Sequence, residues 1–230
     1  MTTLIIATRN AHKVEEIRGI LGPRFQFLTL RDFPDAPAVI EDANTFAGNS
    51  TKKAVELARW LAEQKAEIKG PGAAFVLADD SGLEVDVLQG APGVHSARFA
   101  ALDTGADGNS PDAENNAKLM RLLRDVPEGK RAARFRCVIA LTPVVREAGV
   151  NASPVCAADE RELRTELFDG ACEGRIAFVP GGVKGFGYDP LFLPDGFAQS
   201  FAELGEDVKN RISHRAHALE KLRAWFEKFA

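Results

Sequence analysis

Two carboxylates stand side by side in the stretch FVLADDSGLEV, Phe75 to Val85, directly after four apolar residues. A strand that ends in Asp79 and Asp80 could hold a hard cation or a water on a rigid support, one acid acting and the other assisting. Asp, Ser and Gly also build turns, so Asp79 to Gly82 could equally reverse the chain between two strands.

Cations sit in unusual places elsewhere. ATRNAHK, Ala7 to Lys13, joins a first strand to its helix and puts His12 and Lys13 in an opening turn where the helix dipole prefers anions. Exposed N–H groups there, with the Thr8 hydroxyl, the Asn10 amide and the Lys13 ammonium, would make a phosphate cradle. The alternative is an ordinary Asn10 cap and a solvated Lys13. In FAGNSTKKAVELARWLA, helical steps from Phe46 pass through Ser50, Lys53, Ala54, Leu57, Ala58 and Leu61. Lys53 therefore lies on the apolar stripe and either snorkels or points into a cleft, while Lys52 takes the solvent side.

PGGVKGFGYDPLFLP, Pro180 to Pro194, sets four glycines around Phe186 and the only tyrosine of the chain, Tyr188. Such a backbone can approach a flat ligand beside an aromatic face, or serve as a structural loop. It matches neither a dinucleotide fingerprint nor a phosphate-binding P-loop. KNRISHRAHAL, Lys209 to Leu219, offers Ser213 as a cap and then repeats the anomaly with His214 and Arg215 in the first turn. A ligand acceptor or a solvated basic patch would each account for it. Four groups of cations and aromatics with one acidic strand end describe a flat, anionic ligand carrying a metal ion, as a nucleotide polyphosphate does.

The elements that must position these groups alternate along the chain. Thr3 to Ala7 reads as a buried strand, HKVEEIRGILG as a helix stopped at Gly22-Pro23, and FQFLTL as a second strand. A helix from Phe46 to about Lys65 follows, then AFVLA and LEVDVL as two strands. AENNAKLMRLLRDV is helical by its Leu and Met spacing, and ARFRCVIALTPVV has the apolar run of a central strand. RTELFDGACEGRIAF reads as strand, turn, strand, and Ser213 to Phe229 as a closing helix with Ala218, Leu222, Trp225, Phe226 and Phe229 on one side. The class is α/β, with a mixed central sheet flanked by helices, and residues 1–230 are expected to form a single domain.

Composition narrows the function. With 230 residues and 45% hydrophobic content there is ample core, and a net charge of -4 lacks the basic field of a non-specific nucleic-acid binder. Cys137, Cys156 and Cys172 are widely spaced without a CxxC pair, which argues against a disulfide framework or a zinc knuckle. The N-terminal apolar run is too short for a signal peptide, and no segment approaches the ~20 apolar residues of a membrane span. The expectation is a reducing cytoplasm, with neither nucleic acid nor membrane as partner.

At the residues quoted, the sequence resembles the inosine triphosphatase family of purine nucleoside triphosphate pyrophosphatases. The matching segments are TRNAHK, TFAGNSTKKA, ADDSGLEVDVLQGAPGVHSARF, GFGYDPLF and SHRAHAL, in family order and across almost the whole chain. The resemblance implies two lobes with a cleft between them, a homodimer, and Mg2+-dependent hydrolysis of ITP, dITP and XTP to the monophosphate and pyrophosphate. It implies that Thr8, Arg9, Asn10, Ala11, His12, Lys13 and Lys53 hold phosphates and that Ser81 contacts substrate. Asp80 would be metal ligand and proton acceptor, and Glu41 the other metal carboxylate. Phe186, Gly187, Tyr188, Asp189, Lys209, His214 and Arg215 would enclose the base.

Two features depart from the family pattern. Gly48-Asn49-Ser50 stands where relatives carry Glu-Asn-Ala, so a carboxylate near the metal is absent, and Arg146 to Arg164 reads as an insertion. Lys184 adds a cation beside the aromatic loop, whereas Pro92, His95 and Arg98 read as turn and packing residues. Two other readings stand beside the lead: a pyrophosphatase for other modified nucleotides, and a nucleotide sensor without turnover.

Overall fold

Apolar alternation and side-chain caps account for most of the elements in the computed structural model, which describes residues 1–64, 68, 72–145 and 164–228. Strand β1, Thr3–Ile6, is wholly buried, and helix α1, Ala11–Leu21, begins where the Asn10 side chain accepts from the His12 and Lys13 N–H groups. Strand β2 is Gln26–Thr29, and helix α2, Phe46–Glu63, is capped by the Thr45 hydroxyl. Strand β3, Ala74–Val85, precedes helix α3, Asp112–Leu122. Strands β4, Ala132–Pro143, and β5, Glu166–Ile176, are long, whereas β6, Phe192–Pro194, is brief. Helices α4, Phe201–Leu204, α5, Glu206–Ile212, and α6, His214–Glu227, close the described chain.

Six strands form one sheet in the order β2-β1-β3-β4-β5-β6, with β1 parallel to both β2 and β3 and β5 antiparallel to β6. The expected mixed sheet is therefore present. Two of its strands differ from expectation. Asp79 to Gly82 makes no turn, because β3 runs unbroken through both acids and Gly82 keeps out of the left-handed region. DGACEG makes no turn either, since β5 is continuous. Gly170 is there for space: a Cβ at that position would come within 2.6 Å of the Ala218 backbone nitrogen on α6. Local turn chemistry yields in both places to the pairing of long neighbouring strands.

The chain divides into two compact units, Met1–Asp80 with Val138–Phe168 and Lys221–Ala230, and Ser81–Cys137 with Asp169–Glu220. The core of the first includes Ile5, Val76, Ala78 and Ala140 from the sheet against Ala54, Leu57, Ala58 and Leu61 of α2. Its aromatic cluster joins Phe25, Phe75, Trp225 and Phe226, with Trp225 and Phe226 ring centroids 5.0 Å apart. Phe229, expected on the same stripe, lies outside the described residues, as does most of the polar segment Arg146 to Arg164. The second unit packs Leu83, Val85, Phe135 and Ile176 with Leu119, Tyr188, Phe192 and Phe201. Arg131, 1% exposed, serves this core by donating to the carbonyls of Leu123, Val126, Ile176 and Ala177. Among the described residues, no helix is long and apolar enough to cross a membrane.

Candidate active site

Side chains alternate across a strand, so adjacent Asp79 and Asp80 point to opposite faces of β3. Asp80 shares its face with Val76 and Ala78, which pack on α2, and α2 supplies its partners. The Asp80 carboxylate accepts from the Asn49 amide at 3.1 Å and from the Lys53 ammonium at 3.3 Å. Lys53 also donates to Glu41 at 3.1 Å and to the Asp79 carbonyl at 2.8 Å. Asp79 turns the other way, and its fully buried carboxylate takes an ion pair from Lys13 of α1, close enough that the Lys13 charge still lowers the Asp80 pKa and the Asp79 charge raises that of Lys53. The two acids thus sit inside a continuous strand, each answered by a lysine from a helix.

Lys53 does not snorkel. Its side chain is 12% exposed and ends among Glu41, Asp79 and Asp80. Lys52 takes the outer route to Asp42, 2.8 Å away. Burial works to lower the Lys53 pKa, but the Asp80, Glu41 and Asp79 charges outweigh it and the net shift is upward. Burial is also the largest influence on Asp80, and with the nearby Glu41 charge it outweighs Lys53, Lys13 and the Asn49 hydrogen bond to push the carboxyl up to about 6. A carboxyl at that value is ionised at neutral pH yet basic enough to accept a proton.

The Thr8 to Lys13 turn is more self-contained than the cradle reading requires. Asn10 caps α1, its own N–H donates to the Thr8 hydroxyl at 3.2 Å, and the His12 and Lys13 N–H groups donate to its side chain. Arg9, Asn10, Ala11 and His12 are exposed, and Arg9 reaches the Ala36 carbonyl at 3.5 Å. Of this segment, the Lys13 side chain joins the acidic cluster.

The second unit gathers a different set. Lys209, 3% exposed, lies 2.5 Å from the Asp189 carboxylate and places its ammonium 4.4 Å from the Phe186 ring centroid. Arg215, 1% exposed, donates to the Ser81 hydroxyl at 3.0 Å, with its guanidinium carbon 6.0 Å from the same ring. His214 stacks on Phe135 at 4.8 Å, and Tyr188 donates to the Ser96 carbonyl at 2.9 Å. The basic first turn of α6 is therefore held by tertiary contacts, with Ser213 accepting from the Ala216 N–H as its cap. Ser96 accepts from the Leu83 N–H at 2.9 Å, in keeping with a packing role for the segment around His95.

Three participants escape sequence reasoning. Asn49 stands beside an expected glycine departure, yet it joins the Ala43 N–H of the folded-back loop to Asp80, 31 residues away. Asp112 and Asn116 touch the Gly187 backbone, 75 and 71 residues away. Gly48 is no vacancy either: a Cβ there would lie 2.7 Å from the Ala43 Cβ. Its absence lets the loop that carries Glu41 close on α2.

A model of the Ham1 family matches residues 4–225. The dITP/XTP pyrophosphatase of Opitutus terrae is 41% identical over 229 residues, spanning 96% of this chain and 97% of its own. That of Desulforamulus reducens is 43% identical over 219 residues, 95% of this chain and 92% of its own. A HAM1 protein from Coxiella burnetii superposes with a TM-score of 0.74 at 33% identity, covering 99% of this chain and all of its own. Since likeness in sequence and in fold runs nearly from end to end, the chain belongs to the Ham1 family.

Proposed function

We propose that the chain hydrolyses ITP, dITP and XTP to the nucleoside monophosphate and pyrophosphate, with Mg2+ as cofactor. The reading rests on one arrangement above all, the cluster of Lys13, Lys53, Glu41, Asp79 and Asp80 at the middle of β3. The names of the curated relatives favour the same activity.

Two lysines in that cluster face three carboxylates, so its formal charge is one negative. A polyphosphate would be repelled by it. A divalent cation would reverse the sign, and the oxygen donors of Glu41 and Asp80 suit a hard ion. Bound there, Mg2+ would polarise phosphate oxygens and offset charge on the leaving group.

Asp80 accepts the proton of the attacking water. The new bond forms between that oxygen and the α-phosphorus, the bond from the α-phosphorus to the bridging oxygen breaks, and pyrophosphate departs. Lys53 and Lys13 neutralise charge as it shifts onto the leaving oxygens. Asp79 keeps Lys13 oriented, and Asn49 keeps Asp80 in place.

Lys209, Arg215, Ser81 and the Phe186 ring are the groups proposed for the base. Hypoxanthine and xanthine carry a carbonyl oxygen where adenine carries an amino group, so cationic donors accept the former and meet another donor in the latter. Phe186 offers a stacking face. Action in the cytoplasm and as a homodimer belongs to the same proposal, and sizing in solution checks the dimer.

The test is product analysis on ITP, dITP, XTP, ATP and GTP with and without Mg2+. Pyrophosphate from the first three, dependent on the metal, supports the reading. Orthophosphate with a diphosphate product, or equal turnover of ATP, contradicts it.

A further inference from the structure

Gly187, between Phe186 and Tyr188, has a left-handed backbone with φ of 63° and is held at both of its polar groups. Its N–H donates to the Asp112 carboxylate at 2.6 Å, and its carbonyl accepts from the Asn116 amide at 2.9 Å. Asp112 and Asn116 are four residues apart on α3, hence on one face of the helix. On either side of Gly187 the loop is tied down again. The Phe186 N–H donates to Asp189 at 3.0 Å, and the Tyr188 hydroxyl donates to the Ser96 carbonyl.

The grip comes with a penalty. Asn116 Oδ1 is buried and has no hydrogen-bond partner among the described residues. Turning the amide over would set oxygen against the Gly187 carbonyl, so the donor is spent on the loop and the acceptor is left unsatisfied. The Asn116 amide is thus oriented by the loop, its donor directed at the Gly187 carbonyl.

We propose that Asp112 and Asn116 are positioning residues for base recognition: they fix the Gly187 backbone so that the Phe186 ring stands ready beside Lys209 and Arg215. This rests on the reading that Phe186, Lys209 and Arg215 meet the base. A loop already in its bound form spares the substrate the ordering of several torsions, and the gain appears in affinity for the base rather than in the chemical step.

The experiment compares Asp112→Ala, Asn116→Ala and Asp112→Asn with the parent enzyme on dITP and on ribose 5-triphosphate, which has no base. Both alanine variants are expected to raise KM for dITP, by roughly tenfold at most for the half-buried Asn116 bond and by less for the exposed Asp112 bond, with kcat within about twofold. Their kcat/KM on ribose 5-triphosphate should stay unchanged, and Asp112→Asn, which keeps an acceptor, should recover the parent KM. Equal losses on the two substrates, or an unchanged KM for dITP, would overturn the proposal. Hydrogen exchange of the Gly185 to Tyr188 amides judges the clamp without any substrate: exchange must quicken at Gly187 in Asp112→Ala, and unaltered exchange sinks the idea. Should the parent enzyme release no pyrophosphate from dITP, the reading of the active site fails, while the exchange result still decides the clamp.

Discussion

Replacing Asp80 by asparagine should make the metal-free protein more stable at pH 8 while abolishing turnover. Asp80 is 6% exposed, and its carboxyl is pushed up from 3.8 to about 6, with burial as the leading cause. A carboxyl whose folded pKa stands above its unfolded value contributes stability that is complete below pH 3.8 and is lost as the pH climbs through about 6. Two pKa units correspond to on the order of 3 kcal/mol at pH 8. Asparagine resembles the protonated acid and carries no such penalty, although its amide meets the Asn49 donor and some of the gain is spent there. For a chain of this size, a gain near 2 kcal/mol raises Tm by roughly 4–8 °C. The assay is thermal unfolding of both proteins in chelator at half-unit steps from pH 4 to pH 8. Asp80→Asn should match the parent near pH 4, pull ahead between pH 4.5 and 6.5, and hold its lead above. An equal or lower Tm at pH 8, or a gap independent of pH, would refute the claim that Asp80 is a carboxylate kept ionised against its burial.

Three further substitutions probe the surroundings. Asn49→Ala removes a donor that lowers the Asp80 pKa, so the acidic limb of the pH profile of kcat/KM should move upward; a stationary limb would contradict the contact. Gly48→Ala places a Cβ 2.7 Å from that of Ala43 and must displace the loop carrying Glu41. It should cost about 1 kcal/mol in urea unfolding and raise the Mg2+ concentration needed for half-maximal rate, and a parent-like Mg2+ titration would count against it. Lys209→Met leaves Asp189, 1% exposed, without its ammonium and should destabilise the fold by about 3–5 kcal/mol, as denaturant unfolding will report; a loss under 1 kcal/mol would mean the pair is not structural.

What could be read from the sequence followed from periodicity. Lys53 on the apolar stripe of α2, the buried first strand and the long β4 are all local patterns, and each is present. The centre of the strand that carries the acids is ambiguous in the sequence. Asp, Ser and Gly signal a turn to near neighbours, but β3 is held straight by partners tens of residues away. Continuity is what separates Asp79 from Asp80, sending one carboxylate to Lys13 and the other to Lys53. Asn49 and Gly48 are legible only once the loop before α2 is folded back, because the Ala43 N–H bonds the Asn49 side chain and its Cβ fills the space that a residue larger than glycine would need. The basic first turns of α1 and α6 admit either an anion or an ordinary cap in the sequence, and the structure supplies the caps, Asn10 and Ser213, while the Lys13 ammonium pairs with Asp79.

The central claim is that water attacks the α-phosphorus. Hydrolysis of dITP in 18O-enriched water, with both products analysed by mass, tests it most directly. One 18O atom should enter the monophosphate and none the pyrophosphate. Label in pyrophosphate, or in orthophosphate, would contradict the account.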